Sequence, residues 1–198
     1  MRIEETNIYQ FNELSEAAKA TAIDWWLSLG IDYDLHESTL QDTVDAIELV
    51  GFSDIDILFS GFSSQGDGAC FTGNYEYQKG ALKSVKTEFP KWKALHTFAE
   101  QMQLVNSRYF YQLCFMLEHS GRYQHENSVT VNYVERSDGY DINNEYDLFD
   151  ELQGIVREFM QEIYFMLEKE YNHFTSKEQV SENIIINEYE FNENGAIH

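Results

Sequence analysis

The sequence predicts an α+β fold: a mainly antiparallel sheet built from two hairpins plus edge strands, with helices packed on one face and a long C-terminal amphipathic helix. Three observations carry that expectation. Two pairs of segments alternate apolar and polar residues with period two across short polar turns, the pattern of half-buried hairpins. Other stretches repeat apolar residues at three- and four-residue spacing, as helices packed on one side do. Helices do not alternate singly with strands, which excludes a doubly wound parallel sheet. With 198 residues, 43% of them hydrophobic, the chain can bury a sizeable core. One proline and no Gly/Ser-rich linker mark no boundary, so 1–198 is expected to be a single domain.

Residues 3–11 (IEETNIYQF) read as a short strand. Ser15 is placed to N-cap a helix with Ala18, Ala22, Trp25 and Leu29 on one side and Gly30 closing it. A second helix over about 36–50 turns Leu40, Val44 and Ile47 inward and Asp42, Asp45 and Glu48 outward, with Gly51 as a left-handed stop. DIDILFSGF and ACFTGNYEY then form a hairpin about Gln65, pairing Phe59 with Phe71 and Ile57 with Gly73. Pro90 opens a helix that carries Trp92, Leu95, Phe98 and Met102 inward.

A second hairpin, turning about Arg122, pairs Leu113 with Val131, Phe115 with Val129 and Tyr111 with Tyr133. Its even positions, Gln112, Cys114, Met116 and Glu118 against Glu126, Ser128, Thr130 and Asn132, are mostly polar. Cys70, Thr72, Asn74 and Glu76 repeat that split, so one sheet face is expected under helices and one open to solvent. From Glu145 to Tyr171 a long helix shows the stripe Leu148, Leu152, Ile155, Phe159, Ile163 and Met166. A capping box from Thr175 to Glu178 opens a last helix, and YEFNENG closes as an edge strand. Tyr109, Phe110 and Tyr111 are expected in core and sheet, since base stacking would want cations beside them.

Thirteen Lys+Arg against thirty-five Asp+Glu leave a net charge of −22. Direct binding of nucleic acid or an anionic membrane through a basic face is excluded on that balance. Two cysteines without CxxC or Cys/His spacing fit a reducing cytosol. The N-terminus has no basic-then-apolar leader pattern, and no apolar run reaches the roughly 18 residues of a membrane span, so a soluble protein of the cytoplasm is expected.

The loop Ser60 to Cys70 carries three glycines, Gly61, Gly66 and Gly68, whose freed N–H groups could cradle an anion beside Asp67 or Cys70. No Lys-Ser/Thr follows it and a strand stands where a helix should begin, so it is neither a P-loop nor a nucleophile elbow. A structured hairpin loop is the plainest reading. A partner contact through Ser63, Ser64, Gln65 and Asp67 is the functional one, and an enzyme for a small phosphorylated or nucleotide ligand is the chemical one.

The stretch LFSGFSSQGDGACFTG (58–73), with YQFNELSEAAKATAIDWW, RYFYQLCFMLEHSGRYQH and LEKEYNHFTSKEQVSENIIINEYEFNENG, resembles a family of acidic phage and prophage proteins, some labelled as antitoxins of toxin–antitoxin systems. The resemblance covers nearly the whole chain and implies no catalytic residues. It implies a mobile element whose accessory proteins antagonise host defence.

His119 and His125 fall opposite one another in the expected hairpin register, but no third and fourth zinc ligands have suitable spacing, and a polar turn is preferred. Pairs such as Asp67 with Asp56 or Glu76 could serve acid/base chemistry, a weak signal among thirty-five acids. Between Asp141 and Glu193 lie fourteen acids against Arg157, Lys169 and Lys177. Asp147, Glu151, Glu158 and Glu162 share one flank of the long helix, each four-residue step advancing about 6 Å. Such a row can stand in for nucleic-acid phosphates in a basic cleft. The expectation is therefore a non-enzymatic inhibitor of a host defence or nucleic-acid-handling protein, needing no cofactor or metal. Contacts would run through that flank and the 60–70 loop, and a homodimer is left open. An antitoxin is the alternative within the binding class.

Overall fold

The computed structural model describes residues 7–30, 33–136 and 146–198. In chain order the elements are β1 (Tyr9–Gln10), α1 (Glu16–Ser28), α2 (Glu37–Val50), β2 (Phe52–Phe59), β3 (Ala69–Glu76), α3 (Ala81–Glu88), α4 (Lys93–Arg108), β4 (Leu113–His119), β5 (Val129–Arg136), α5 (Tyr146–Phe174), α6 (Lys177–Ile186) and β6 (Glu190–Phe191). They divide between two compact units, Met1–His36 with Lys169–His198, and Glu37–Glu168. The fold is α+β, with an antiparallel four-stranded sheet in the order β2-β3-β4-β5 and a two-stranded pair β1-β6.

In the larger unit both hairpins keep the expected faces but shift register. Phe59 stands opposite Ala69 and Ile57 opposite Phe71, two positions from the expected pairing, because the loop is longer and closes through Ser60 N–H donating to the Gly68 carbonyl at 3.0 Å. Leu117 stands opposite Val131 and His119 opposite Val129, a four-residue shift. Its cause is a 3-10 turn at Glu126–Ser128, which lengthens the connection beyond a turn at Arg122. Even shifts preserve inside and outside.

Each outer strand then changes phase once through a β-bulge. Between Ser53 and Asp56 the register slips, with Asp54 at φ 52°, and Phe52 comes opposite Tyr75 on the apolar side. Between Cys114 and Met116 the extra residue lies on β5, where Tyr133 at φ 51° turns out to 71% exposure and Val134 turns in. Tyr133 is therefore not the inward partner of Tyr111 that strict alternation implied.

The apolar side is closed by α4 and α5. Phe98 and Phe159 stack at 4.4 Å and 1°, and Phe98 stacks on Phe52, which touches Phe71, Tyr75 and Phe115. Leu95, Met102, Leu113, Leu117, Leu152 and Ile163 complete a fully buried interior. On α5 the buried stripe is wider than expected, adding Val156, Met160 and Leu167, while Met166 is only half-buried. The helix expected at Pro90 starts at Lys93, because Trp92 N–H still bonds back to the Phe89 carbonyl. Before it lies α3, whose apolar residues, Ala81, Leu82 and Val85, make too short a pattern to read. Gly51 ends α2 at φ 121°, and a Cβ there would collide with the Glu76 carbonyl oxygen.

In the smaller unit β1 pairs with β6, Tyr9 opposite Phe191. Described residues give only Tyr9–Gln10 of the expected first strand; Phe11–Glu13 turn into a 3-10 helix, and residues 3–6 lie outside the description. Phe191 is fully buried, with Phe11 and Trp25 edge-on to it and Ala18, Ala22, Val180 and Ile184 around it. Ser15 caps α1 as expected, accepting from Ala18 N–H, but Leu29 at the helix end is 61% exposed. The cap of α6 is Ser176 and not Thr175, whose hydroxyl donates to the Tyr171 carbonyl in the last turn of α5.

Truncating Phe98 to Ala removes both stacks from a site only 2% exposed, and the expected cost is about 3–5 kcal/mol. Urea unfolding followed by far-UV circular dichroism measures it; a loss under about 1 kcal/mol would place the anchor of the helix layer elsewhere.

Candidate functional site

The glycine-rich loop does build an anion cradle, and its own side chain fills it. Asp67 Oδ2 accepts the N–H groups of Ser63 at 2.9 Å and Ser64 at 2.7 Å, and Asp67 N–H donates to the Ser64 carbonyl at 3.1 Å. Ser63, Ser64 and Gln65 are left exposed at the tip. The loop lies against the second hairpin's turn: a Cβ on Gly68 would stand 2.8 Å from His125 Cδ2, and one on Gly66 3.2 Å from the Tyr123 ring. Phe62 anchors the other side, stacked between Phe59 and Tyr164 of α5 at 6.2 and 5.6 Å. Burial raises the Tyr164 hydroxyl above its ordinary pKa, and the negative charges of Glu168 and Asp67 add to the shift.

The observed register puts His119 opposite Val129, so the two histidines are not cross-strand partners. His119 Nε2 lies 2.9 Å from the Tyr123 carbonyl, which it can meet only as a donor. His125 Nδ1 stands 2.8 Å from Glu126 Oε2 and 3.2 Å from Asn127 N–H. One nitrogen cannot both donate to the first and accept from the second, so which contact is a hydrogen bond depends on the ring tautomer. Glu126 is buried and also accepts from Gln161 Nε2 at 2.9 Å. Sequence reasoning missed this pair because 35 residues separate its members. Among the described residues no group of three His, Cys, Asp or Glu could hold a metal ion.

Cys70 is fully buried, and burial, with smaller contributions from Asp56 and Glu126, pushes its thiol up to about 11. Burial, Glu76 and Glu135 raise Cys114 as well. Neither supplies a ready thiolate near neutral pH. Asp67 precedes β3 and Glu76 ends it, so the pairing of these two considered from sequence does not form.

Along α5, Asp147, Glu151 and Glu158 are exposed and Glu162 is half-buried. Glu151 is ion-paired with Arg108. Glu158 and Glu162 line a groove of about 150 Å³ with Thr97, Phe98 and Gln101 of α4 and Phe159. Arg157, a rare cation of this region, donates to the Val129 carbonyl at 2.9 Å and ties α5 to β5. The loop meets α5 near Tyr164, about 25 Å along the helix from Asp147, so the candidate contact residues occupy two places.

A further acidic surface comes from all four strands. Asp54, Asp56, Glu76, Glu118 and Glu135 are exposed on the open sheet face. Arg136, at the end of β5, stands opposite Leu113 and not in this register; its guanidinium donates to Gln112 and lies over Phe110. Phe110 and Tyr111, expected in core and sheet, are 73% and 45% exposed, because positive φ at both swings them out of the strand path.

Replacing Asp67 with Ala should free the Ser63 and Ser64 amides, speeding their hydrogen exchange about tenfold while the rest of the chain keeps its protection. Unchanged exchange would mean that the backbone alone holds the loop. The thiol shift predicts a pH effect. Cys70 holds its proton to about 11 in the folded state against 9.0 unfolded, so the unfolded chain loses it first and stability falls as pH rises through that window. Urea titrations from pH 8 to 11 should show a shallower fall in Cys70→Ala.

No helix among the described residues is long and apolar enough to cross a membrane. No curated protein and no solved structure matches the chain. A family described as Domain of unknown function (DUF8835) matches residues 33–177, a span that contains the entire Glu37–Glu168 unit with its loop, open sheet face and acidic helix. On that match the chain belongs to the DUF8835 family.

Proposed function

We propose that the protein is a non-enzymatic binding protein of a phage or prophage, acting in the host cytoplasm. It inhibits a host defence protein by occupying a nucleic-acid-binding site with acidic surface. The observation that carries this reading is the distribution of the −22 net charge: exposed carboxylates on α5 and the open sheet face have few cations beside them. Such a field repels nucleic acid and draws in the basic surfaces that bind it. The non-enzymatic part is supported by the protonated, buried Cys70 and by Asp67, which is engaged by its own loop. The exposed Phe110, Tyr111 and Tyr133 favour a second reading, an antitoxin holding its toxin through a mixed apolar and polar interface.

Salt separates the two. Exposed charge attraction is screened over about 10 Å at 0.1 M, so a captured nuclease or restriction component should be released by a high-salt wash and displaced by duplex DNA. A partner that resists both, encoded beside this chain, would replace mimicry with the antitoxin reading. The measurement is affinity capture from host lysate at two salt concentrations, with mass spectrometry of what stays bound.

A further inference from the structure

The open face of the β2–β5 sheet has a defined layout. Met116 sits at its middle, with Asn74 of β3 and Asn132 of β5 directly opposite it on either side. Asn74 donates to Asp54 Oδ2 at 2.9 Å and Asn132 to Glu118 Oε2 at 2.6 Å. One row away, Cys114 lies between Glu76 and Glu135. With strands about 4.8 Å apart, those two stand roughly 10 Å from each other across it. Asp56, opposite Thr72, completes a ring of five exposed carboxylates around a half-buried thioether.

Three features decide what covers this face. The amides of Asn74 and Asn132 steady two carboxylates without cancelling their charge, so the ring keeps its full negative field. That field repels nucleic acid, anionic lipid and a second copy of the same face alike. The centre is an adaptable methionine within a polar rim, the anatomy of a protein interface. Both outer strands carry a bulge with a residue at positive φ, Asp54 and Tyr133, which discourages strand addition at the edges and leaves the face itself as the approach.

We infer that this face is a docking surface for a basic protein segment, one that sets Lys or Arg side chains over Glu76, Glu118 and Glu135 around an apolar residue seated on Met116. The inference rests on the acidic-binding reading above and assigns its contact surface to the sheet instead of the α5 flank.

The test uses the full chain and a labelled twelve-residue peptide of alternating Lys and Arg with one central Leu, read by fluorescence anisotropy at about 0.15 M salt. The triple variant Glu76→Gln/Glu118→Gln/Glu135→Gln should bind about tenfold more weakly. A charge-matched control, Asp147→Asn/Glu158→Gln/Glu182→Gln, should lose less than about threefold. Amide resonances of Cys114, Met116 and Glu118 should shift on titration with the peptide. Unfolding midpoints within a few degrees confirm that the exposed substitutions leave the fold intact. Equal weakening in both variants would overturn the inference and leave attraction by net charge standing. Selective weakening of the control would move the contact to α5, and no binding of the unmodified protein would overturn the sheet assignment outright. Release of a captured defence protein by DNA, measured separately, decides the inhibitory role.

Discussion

The stacked pair Phe98 and Phe159 is the contact on which the larger unit turns. It joins α4 to α5, and through Phe52 of β2 it reaches Phe71 and Tyr75 of β3 and Phe115 of β4. A chain with a net charge of −22 works against its own collapse, and a dense aromatic interior is the favourable term large enough to offset that repulsion. The arrangement also fixes where charge can go. Because both long helices are needed on one side of the sheet, the other side is left to solvent and to carboxylates.

The two bulges serve that division. An uninterrupted period-two strand would carry Phe52 and Val134 to the solvent face, losing apolar burial at both ends of the sheet. Inserting one residue restores both to the core at the cost of a left-handed Asp54 and Tyr133. The same kinks blunt the outer strands, so a partner meets side chains and not free backbone groups.

The 60–68 loop is a closed structure in itself. A carboxylate held by two backbone N–H groups, a glycine pressed against His125 and a phenylalanine stacked on Tyr164 leave a preformed tip of Ser63, Ser64 and Gln65. Preformed polar tips suit recognition, since little ordering entropy remains to be lost on contact. The same bonds occupy the Ser63 and Ser64 amides that could otherwise meet another anion, which separates this loop from the phosphate cradles its composition resembles.

Sequence by itself determined the α+β class, the inside and outside of the strands up to the bulges on β2 and β5, the Ser15 cap, and α5 to within a few residues, because these follow from local periodicity and local hydrogen bonding. It determined the acidity and the loop's membership of one hairpin. Only tertiary structure decided the registers, since an even shift leaves the pattern unchanged and is set by loop geometry such as the turn at Glu126–Ser128. It alone paired Glu126 with Gln161, turned Arg157 toward β5, and collected five carboxylates from four strands on one face. Those juxtapositions join residues far apart in the chain, and no local pattern carries information about a neighbour that only packing supplies.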